Sequence, residues 1–159
     1  MTLRLIDIIH DTTVDGPGFR TSIYAAGCKH ACEGCHNPQS WAFDAGRDYT
    51  LDEVMNEITA DPFAHITFSG GDPFYQQEAF AELAKRIRKE TNKTIWCYTG
   101  FHFEELTASP LLPLIDVLVD GPFILSLRDT DLLFKGSSNQ RIVDVKASLK
   151  AGEVVEWQR

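Results

Sequence analysis

The pattern of apolar and polar positions divides most of the chain into alternating strands and helices. Short apolar or alternating runs predict strands over residues 21–26, 64–68, 94–98 and 115–119. Helical periodicity predicts helices over residues 50–60 and 76–90, and a short helix is expected over 102–106. The tail is less regular, and we expect strands over 141–145 and 154–157 around a turn at Ala151 and Gly152.

Several of the predicted strands end in polar or glycine-rich turns. These turns are Gly27-Cys28 and residues 69–73, 98–100 and 120–122. Strand, helix and strand at this spacing indicate βαβ units and a parallel sheet, so the fold class is α/β. Because parallel strands end at one edge, where α/β proteins bind ligands, we expect these turns to lie together there.

Length and charge limit the classes of protein that are possible. A chain of 159 residues is expected to form a single domain over 1–159. Its net charge of -8 argues against a broad nucleic-acid footprint. The apolar stretches are too short to span a membrane, and the first ten residues do not resemble a signal peptide. We therefore expect a cytoplasmic protein with no nucleic-acid or membrane partner.

Three of the four cysteines form a compact motif with C-x3-C-x2-C spacing, namely Cys28, Cys32 and Cys35. Three unrelated core cysteines are a poor explanation for such a loop. A Cys3His zinc site with His36 is one alternative, although zinc sites usually take ligands from a second segment. A 4Fe-4S cluster is the other, and three thiolates would leave one iron open for a substrate. Cys97 lies in an apolar strand and is expected in the core.

The cysteine motif, followed by Gly70-Gly71-Asp72-Pro73, resembles the radical S-adenosylmethionine (SAM) superfamily. Further segments resemble its small glycyl-radical activases. These segments are DGPGFR at residues 15–20, GCHN at 34–37, IWCYTGF at 95–101, VDG at 119–121 and GSSNQ at 136–140. The resemblance covers most of the chain and implies a reduced, partly open (β/α) barrel, since 159 residues are too few for a closed eight-unit barrel.

The resemblance also implies the cofactors and the site residues. A 4Fe-4S cluster would be held by Cys28, Cys32 and Cys35, and SAM would bind at its open iron. The residues expected beside SAM are Gly34, Cys35 and His36 near the adenine, Gly70, Gly71 and Asp72 near the amino group, and Tyr98, Thr99 and Asp120 near the ribose or methionine part. Asp72 is expected either to accept from the SAM ammonium or to order its turn. Arg20 is expected either to face an acidic group at the site or to form a surface ion pair.

The implied reaction requires a second protein. An activase of this type removes a hydrogen atom from a glycine of a large partner enzyme, and the implied partner is the catalytic subunit of anaerobic ribonucleoside-triphosphate reductase. A small electron donor of the flavodoxin or ferredoxin type is expected. Pyruvate formate-lyase is the alternative partner. A non-catalytic Cys3His zinc interaction module is the alternative from a different class of protein.

Overall fold

The computed structural model describes residues 1–35 and 38–159, within which the chain forms seven strands and three α-helices. The strands are β1 (Thr2–Thr12), β2 (Arg20–Ala25), β3 (Arg47–Thr50), β4 (His65–Gly70), β5 (Ile95–Tyr98), β6 (Val117–Asp120) and β7 (Arg141–Asp144). The helices are α1 (Leu51–Ala60), α2 (Gln77–Glu90) and α3 (Val145–Ala151). In that part of the chain, no helix has the length and apolar character needed to cross a membrane.

All seven strands belong to one sheet, in the order β3-β1-β2-β4-β5-β6-β7. The four central strands β2, β4, β5 and β6 run parallel, whereas β1, β3 and β7 pair antiparallel with their neighbours. The predicted α/β class and parallel centre are therefore confirmed. The described residues form an open sheet with β3 and β7 at its edges, so the expected barrel is not confirmed.

The predicted elements of the middle of the chain are present with small shifts in their ends. Helix α1 begins after Thr50, whose side chain accepts from the Glu53 amide while Glu53 reaches back to the Thr50 amide. This reciprocal cap is the one that the sequence predicts. The expected short helix is a single 3-10 turn at Phe103–Glu105.

Two parts of the fold differ from the prediction. Strands β1 and β3 were not predicted, although the burial of β1 alternates in its first half as a strand at a sheet surface does. In the tail, the predicted strand over 154–157 is wrong, because only an isolated bridge joins Glu156 to Val143. Asp144 instead caps the unpredicted helix α3 by accepting from the Ala147 amide, and Gly152 ends that helix in the left-handed conformation.

The two faces of the sheet have different chemistry. Helices α1 and α2 cover an apolar face whose buried residues include Ile23, Phe68 and Cys97, which confirms Cys97 as a core residue. Because side chains alternate along each strand, the intervening positions point to the opposite face. That face carries polar and aromatic residues: Arg20, Ser22 and Tyr24 on β2, Thr67 and Ser69 on β4, and Trp96 and Tyr98 on β5. The polar side chains of these strands therefore lie on the face opposite the helices.

Candidate functional site

A cavity of about 580 Å³ lies at the carboxyl ends of the parallel strands. Its walls come from the segment before β2, from the ends of β4 and β5, and from the loop between β6 and β7. The lining residues include Asp15, Cys35, Ser69, Tyr98 and Gln140. A second cavity of about 270 Å³ shares Asp15 and Ser69 with the first and is also lined by Gly70. The volume of the larger cavity is in the range of small-molecule sites, and Cys35 of the cysteine loop forms part of its wall.

The cysteine loop begins directly at the end of β2. The Gly27 amide donates to the Ser40 carbonyl at 2.7 Å, and the Cys28 amide donates to the Trp41 carbonyl at 3.2 Å. Further along, the Cys35 amide donates to the Cys32 carbonyl at 3.1 Å and folds the second half of the loop into a turn. Backbone hydrogen bonds therefore fix the base of the loop and curl its end.

The side chains of Cys28, Cys32 and Cys35 are all half-buried. Burial raises the pKa of the Cys28 thiol to about 11, and the nearby charges of Asp72 and Cys32 add to the effect. A thiolate at that position is stabilised when a metal cation supplies the opposite charge. Three soft sulfur donors on one short loop fit an iron–sulfur cluster by their chemistry.

The described residues do not test the zinc alternative. His36, which a Cys3His site requires, lies outside the described residues. Among residues 1–35 and 38–159, no three His, Cys, Asp or Glu side chains are close enough together to hold a metal ion. Cys28, Cys32 and Cys35 share one loop, and Cys35 lines the larger cavity. The described structure does not draw the three sulfur atoms together into a ready site for zinc or for a cluster.

The glycine pair after β4 packs directly against the start of the cysteine loop. Gly70 has a φ of +103°, which favours glycine. The Gly71 amide donates to the Ala25 carbonyl at 2.7 Å, and the Asp72 amide donates to the Gly27 carbonyl at 2.8 Å. A Cβ atom on Gly71 would lie 2.5 Å from the Gly27 carbonyl oxygen. The missing side chain thus allows the turn to set the position from which the cysteine loop starts.

Asp72 and Thr99 join the ends of β4 and β5. The Asp72 carboxylate is fully buried and accepts from the Thr99 hydroxyl at 2.8 Å and from the Gly100 amide at 2.9 Å. It also accepts from the Phe74 amide at 3.1 Å, which starts the next helical turn. Of the two roles expected for Asp72, this geometry displays the ordering of the turn.

Tyr98 and Asp120 end neighbouring strands but face different surroundings. Tyr98 lines the larger cavity, and its hydroxyl donates to the Phe134 carbonyl at 2.6 Å. Asp120 is fully buried and receives two hydrogen bonds from the Arg141 guanidinium, at 3.0 Å and 2.5 Å. Asp120 therefore has a cationic partner within the chain, whereas Tyr98 borders the space available to a ligand.

Arg20 has neither of the two environments that we expected. It is 1% exposed, and its guanidinium donates to the Thr67 hydroxyl at 2.8 Å and to the carbonyls of Ile66 and Pro17 at 2.9 Å and 3.0 Å. The expectation of an ion pair was wrong because backbone carbonyls provide its acceptors. Asp15 lines both cavities but was not predicted as a site residue. Its position in the DGPGFR segment was the sequence signal that could have identified it.

A family described as "4Fe-4S single cluster domain" matches residues 14–143. This range includes Cys28, Cys32, Cys35 and the remaining expected site residues. The match defines the chain as a 4Fe-4S domain, in agreement with the donor set of its cysteine loop.

Relatives named anaerobic ribonucleoside-triphosphate reductase-activating protein extend this finding. The protein from Escherichia coli (strain K12) is 39% identical over 137 residues, which cover 80% of this chain and 89% of the relative. The one from Vibrio cholerae is 40% identical over 81% of this chain and 90% of its own length. The one from Enterobacteria phage T4 is 34% identical over 81% and 86%. The chain belongs to the family of anaerobic ribonucleoside-triphosphate reductase-activating proteins.

A solved structure shares the fold. The crystal structure of QueE from Escherichia coli superposes with a TM-score of 0.53 at 15% sequence identity. The match covers 63% of this chain and about half, 53%, of the QueE chain. At this identity the likeness concerns the fold alone.

Proposed function

We propose that this chain is a radical SAM activase that forms the glycyl radical of anaerobic ribonucleoside-triphosphate reductase. The observation that carries the proposal is the C-x3-C-x2-C loop, which is joined to the Gly-Gly-Asp turn beside a cavity at the strand ends. Membership of the family of activating proteins supports the reductase as the partner. The enzyme acts in the cytoplasm, where cysteine ligands stay reduced.

In this proposal, Cys28, Cys32 and Cys35 would hold a 4Fe-4S cluster and would leave one iron open to SAM. When bound, the cluster and SAM supply the electron and the organic radical that hydrogen abstraction from glycine needs. The contribution of the chain is to hold the thiolates, to bring SAM beside them and to keep water from the radical.

The residues proposed around SAM divide into two groups by their surroundings. Cys35 and Tyr98 line the larger cavity, and Gly70 lines the smaller one, so these residues would contact SAM directly. Gly71 brings backbone close to the same place, and its carbonyl would accept from the SAM ammonium. Gly34 and His36 would lie near the adenine. Asp72, Thr99 and Asp120 would not contact SAM. They would act by fixing the turns with which their side chains form hydrogen bonds.

The target glycine belongs to a second protein. The large catalytic subunit of the reductase would present a glycine loop to the cavity, and a small donor of the flavodoxin or ferredoxin type would reduce the cluster. Glycine suits the reaction because no side chain blocks access to its Cα hydrogen.

Electron paramagnetic resonance tests the proposal. The reconstituted chain is reduced in the presence of SAM, and either the reductase or pyruvate formate-lyase is added as the partner. A glycyl-radical doublet with the reductase is expected. A doublet obtained only with pyruvate formate-lyase would assign the chain to that partner instead.

Cysteine variants test the ligand set. Serine at Cys28, Cys32 or Cys35 should abolish the cluster signal, whereas Cys97→Ser should keep it because Cys97 is buried in the apolar core. Purified protein that carries stoichiometric zinc and no iron would support the zinc module.

A further inference from the structure

The Asp72 carboxylate has no accepting capacity left for a ligand. Its Oδ2 atom accepts from His30 Nε2 at 2.8 Å, from Thr99 Oγ1 at 2.8 Å and from the Gly100 amide at 2.9 Å. Its Oδ1 atom accepts from the Phe74 amide at 3.1 Å and also lies 3.0 Å from the Thr99 hydroxyl. A carboxylate has about four acceptor positions. Because the group is also fully buried, its function lies in what it holds within the chain.

Of the groups that donate to Asp72, His30 is the one that belongs to the cysteine loop. It lies midway between Cys28 and Cys32, and its side chain is 17% exposed. Its ring contacts the edge of the Phe101 ring at a centroid distance of 4.6 Å and lies 5.7 Å from the Tyr75 ring. A loop residue that is merely solvated would not be packed between rings in this way.

Close packing fixes the position of the ring. A Cβ atom on Gly100 would lie 2.5 Å from the His30 ring, so the turn after β5 can approach the ring only because glycine stands there. A carboxylate oxygen only accepts, so His30 Nε2 carries the proton of this hydrogen bond. The contact is charge-assisted and sits in a largely buried place, where such bonds are strongest.

The backbone ties the loop at its base, whereas His30 ties its middle. The Asp72 amide holds the Gly27 carbonyl just before Cys28. The Asp72 side chain then holds His30, and the same carboxylate holds the hydroxyl of Thr99. One buried group therefore links the middle of the cysteine loop to the turns after β4 and β5.

We propose that His30 is a positioning residue, which clamps the cysteine loop to Asp72 and thereby fixes the sulfur ligands relative to the turns that bind the cofactor. This inference rests on the proposed function, in that the loop holds a 4Fe-4S cluster. It assigns to His30 and Asp72 a role separate from direct contact with SAM.

Paired variants of His30 separate the hydrogen bond from the ring. His30→Phe keeps an aromatic ring and removes the donor, whereas His30→Gln places an amide donor near the position of Nε2. His10→Phe is the matched control, since His10 Nε2 makes the same kind of contact with a carboxylate, that of Glu57, in a more exposed position. Each variant is reconstituted anaerobically without SAM or partner, and three quantities are measured: iron and sulfide per chain, the rate of iron loss to a chelator, and the midpoint potential of the cluster.

The expected result is that His30→Phe loses iron about ten-fold faster than the wild type, which corresponds to roughly 1.4 kcal/mol. Its midpoint potential should also shift, because the loop no longer holds one position. His30→Gln should restore most of the retention, and His10→Phe should match the wild type. Gly100→Ala offers an independent route, since its Cβ atom would displace the ring while His30 itself is unchanged.

Retention and potential equal to wild type in both His30→Phe and Gly100→Ala would overturn the proposal. Equal losses in His30→Phe and His30→Gln would overturn the role of the hydrogen bond. Circular dichroism before reconstitution identifies any variant that fails to fold. If His30→Phe fails to fold, the retention and potential of Gly100→Ala decide whether the proposal stands. If the wild type holds the cluster but gives no glycyl radical with the reductase, the proposed function fails while the comparison of His30 variants stands.

Discussion

Gly71→Ala should destabilise the protein by steric conflict alone. The backbone of Gly71 lies outside the left-handed region, so alanine carries no conformational strain there. Its Cβ atom would lie 2.5 Å from the Gly27 carbonyl oxygen, whereas ordinary contacts begin at 3.4 Å. The turn must move away by roughly 0.9 Å, which is the difference between those distances. This movement breaks the hydrogen bond of 2.8 Å from the Asp72 amide to the same carbonyl.

The cost follows from these two effects. A lost backbone hydrogen bond costs about 1 kcal/mol, and overpacking costs roughly 1–3 kcal/mol. The free energy of unfolding should therefore fall by about 3 kcal/mol. For a chain of this size, that lowers the melting temperature by roughly 6–12 °C. Cluster content should fall as well, because Gly27 directly precedes Cys28.

Anaerobic thermal unfolding of the reconstituted protein measures the effect, with Gly18→Ala as the matched control. Gly18 has a φ of +72° and no atom within 4 Å of its missing Cβ position. Alanine there costs only backbone strain, about 1 kcal/mol. A Gly71→Ala variant as stable as Gly18→Ala would show that the close approach to Gly27 does not constrain the turn.

Three further predictions concern the support of the sheet. Arg20→Lys should lower the free energy of unfolding by about 2 kcal/mol, because an ammonium cannot match the donors of the buried guanidinium. In the same melting assay, Arg128→Lys at the surface should leave the melting temperature nearly unchanged. Trp157→Ala should lower the free energy of unfolding by about 2 kcal/mol, since its half-buried ring packs edge-on at 5.0 Å against Trp96. Urea titration measures this loss, and Trp157→Phe should recover part of it. Hydrogen bonds from Arg141 lower the pKa of Glu104, so this contribution to stability is present above the ordinary value of 4.5 and is lost as the pH falls through the lowered pKa. The melting-temperature difference between the wild type and Arg141→Gln should therefore narrow on acidification, and a constant difference would contradict the assignment.

Local patterns predict the centre of the fold and fail at its edges. The capping box at Thr50 and Glu53 predicts the start of α1 because all of its partners lie within four residues. Strand β1 escapes prediction because its positions are of mixed polarity, and it is stabilised by pairing with β2, which follows after seven residues, and with the more distant β3. In the tail, the strand predicted over 141–145 is present as β7, whereas helix α3, which Asp144 caps, was not predicted and residues 154–157 form no strand.

The sequence by itself determined the donor chemistry of the site. Cys28, Cys32 and Cys35 share a short segment, so their spacing indicates a metal-binding loop before any fold is known. The turns after the strands were also predictable, because parallel strands place their carboxyl ends at one edge.

The tertiary structure decided which polar groups are available at that edge. Asp72 and Asp120 occupy similar places in the sequence pattern, and both are fully buried. Asp15 and Tyr98 are also hydrogen-bonded within the chain, yet they line the cavity. Sequence identifies a carboxylate, but its role depends on which donors reach it, and two of the donors to Asp72 are His30 and Thr99, 42 and 27 residues away. Hydrogen bonds over such separations exist only after folding, so local sequence contains no signal for them.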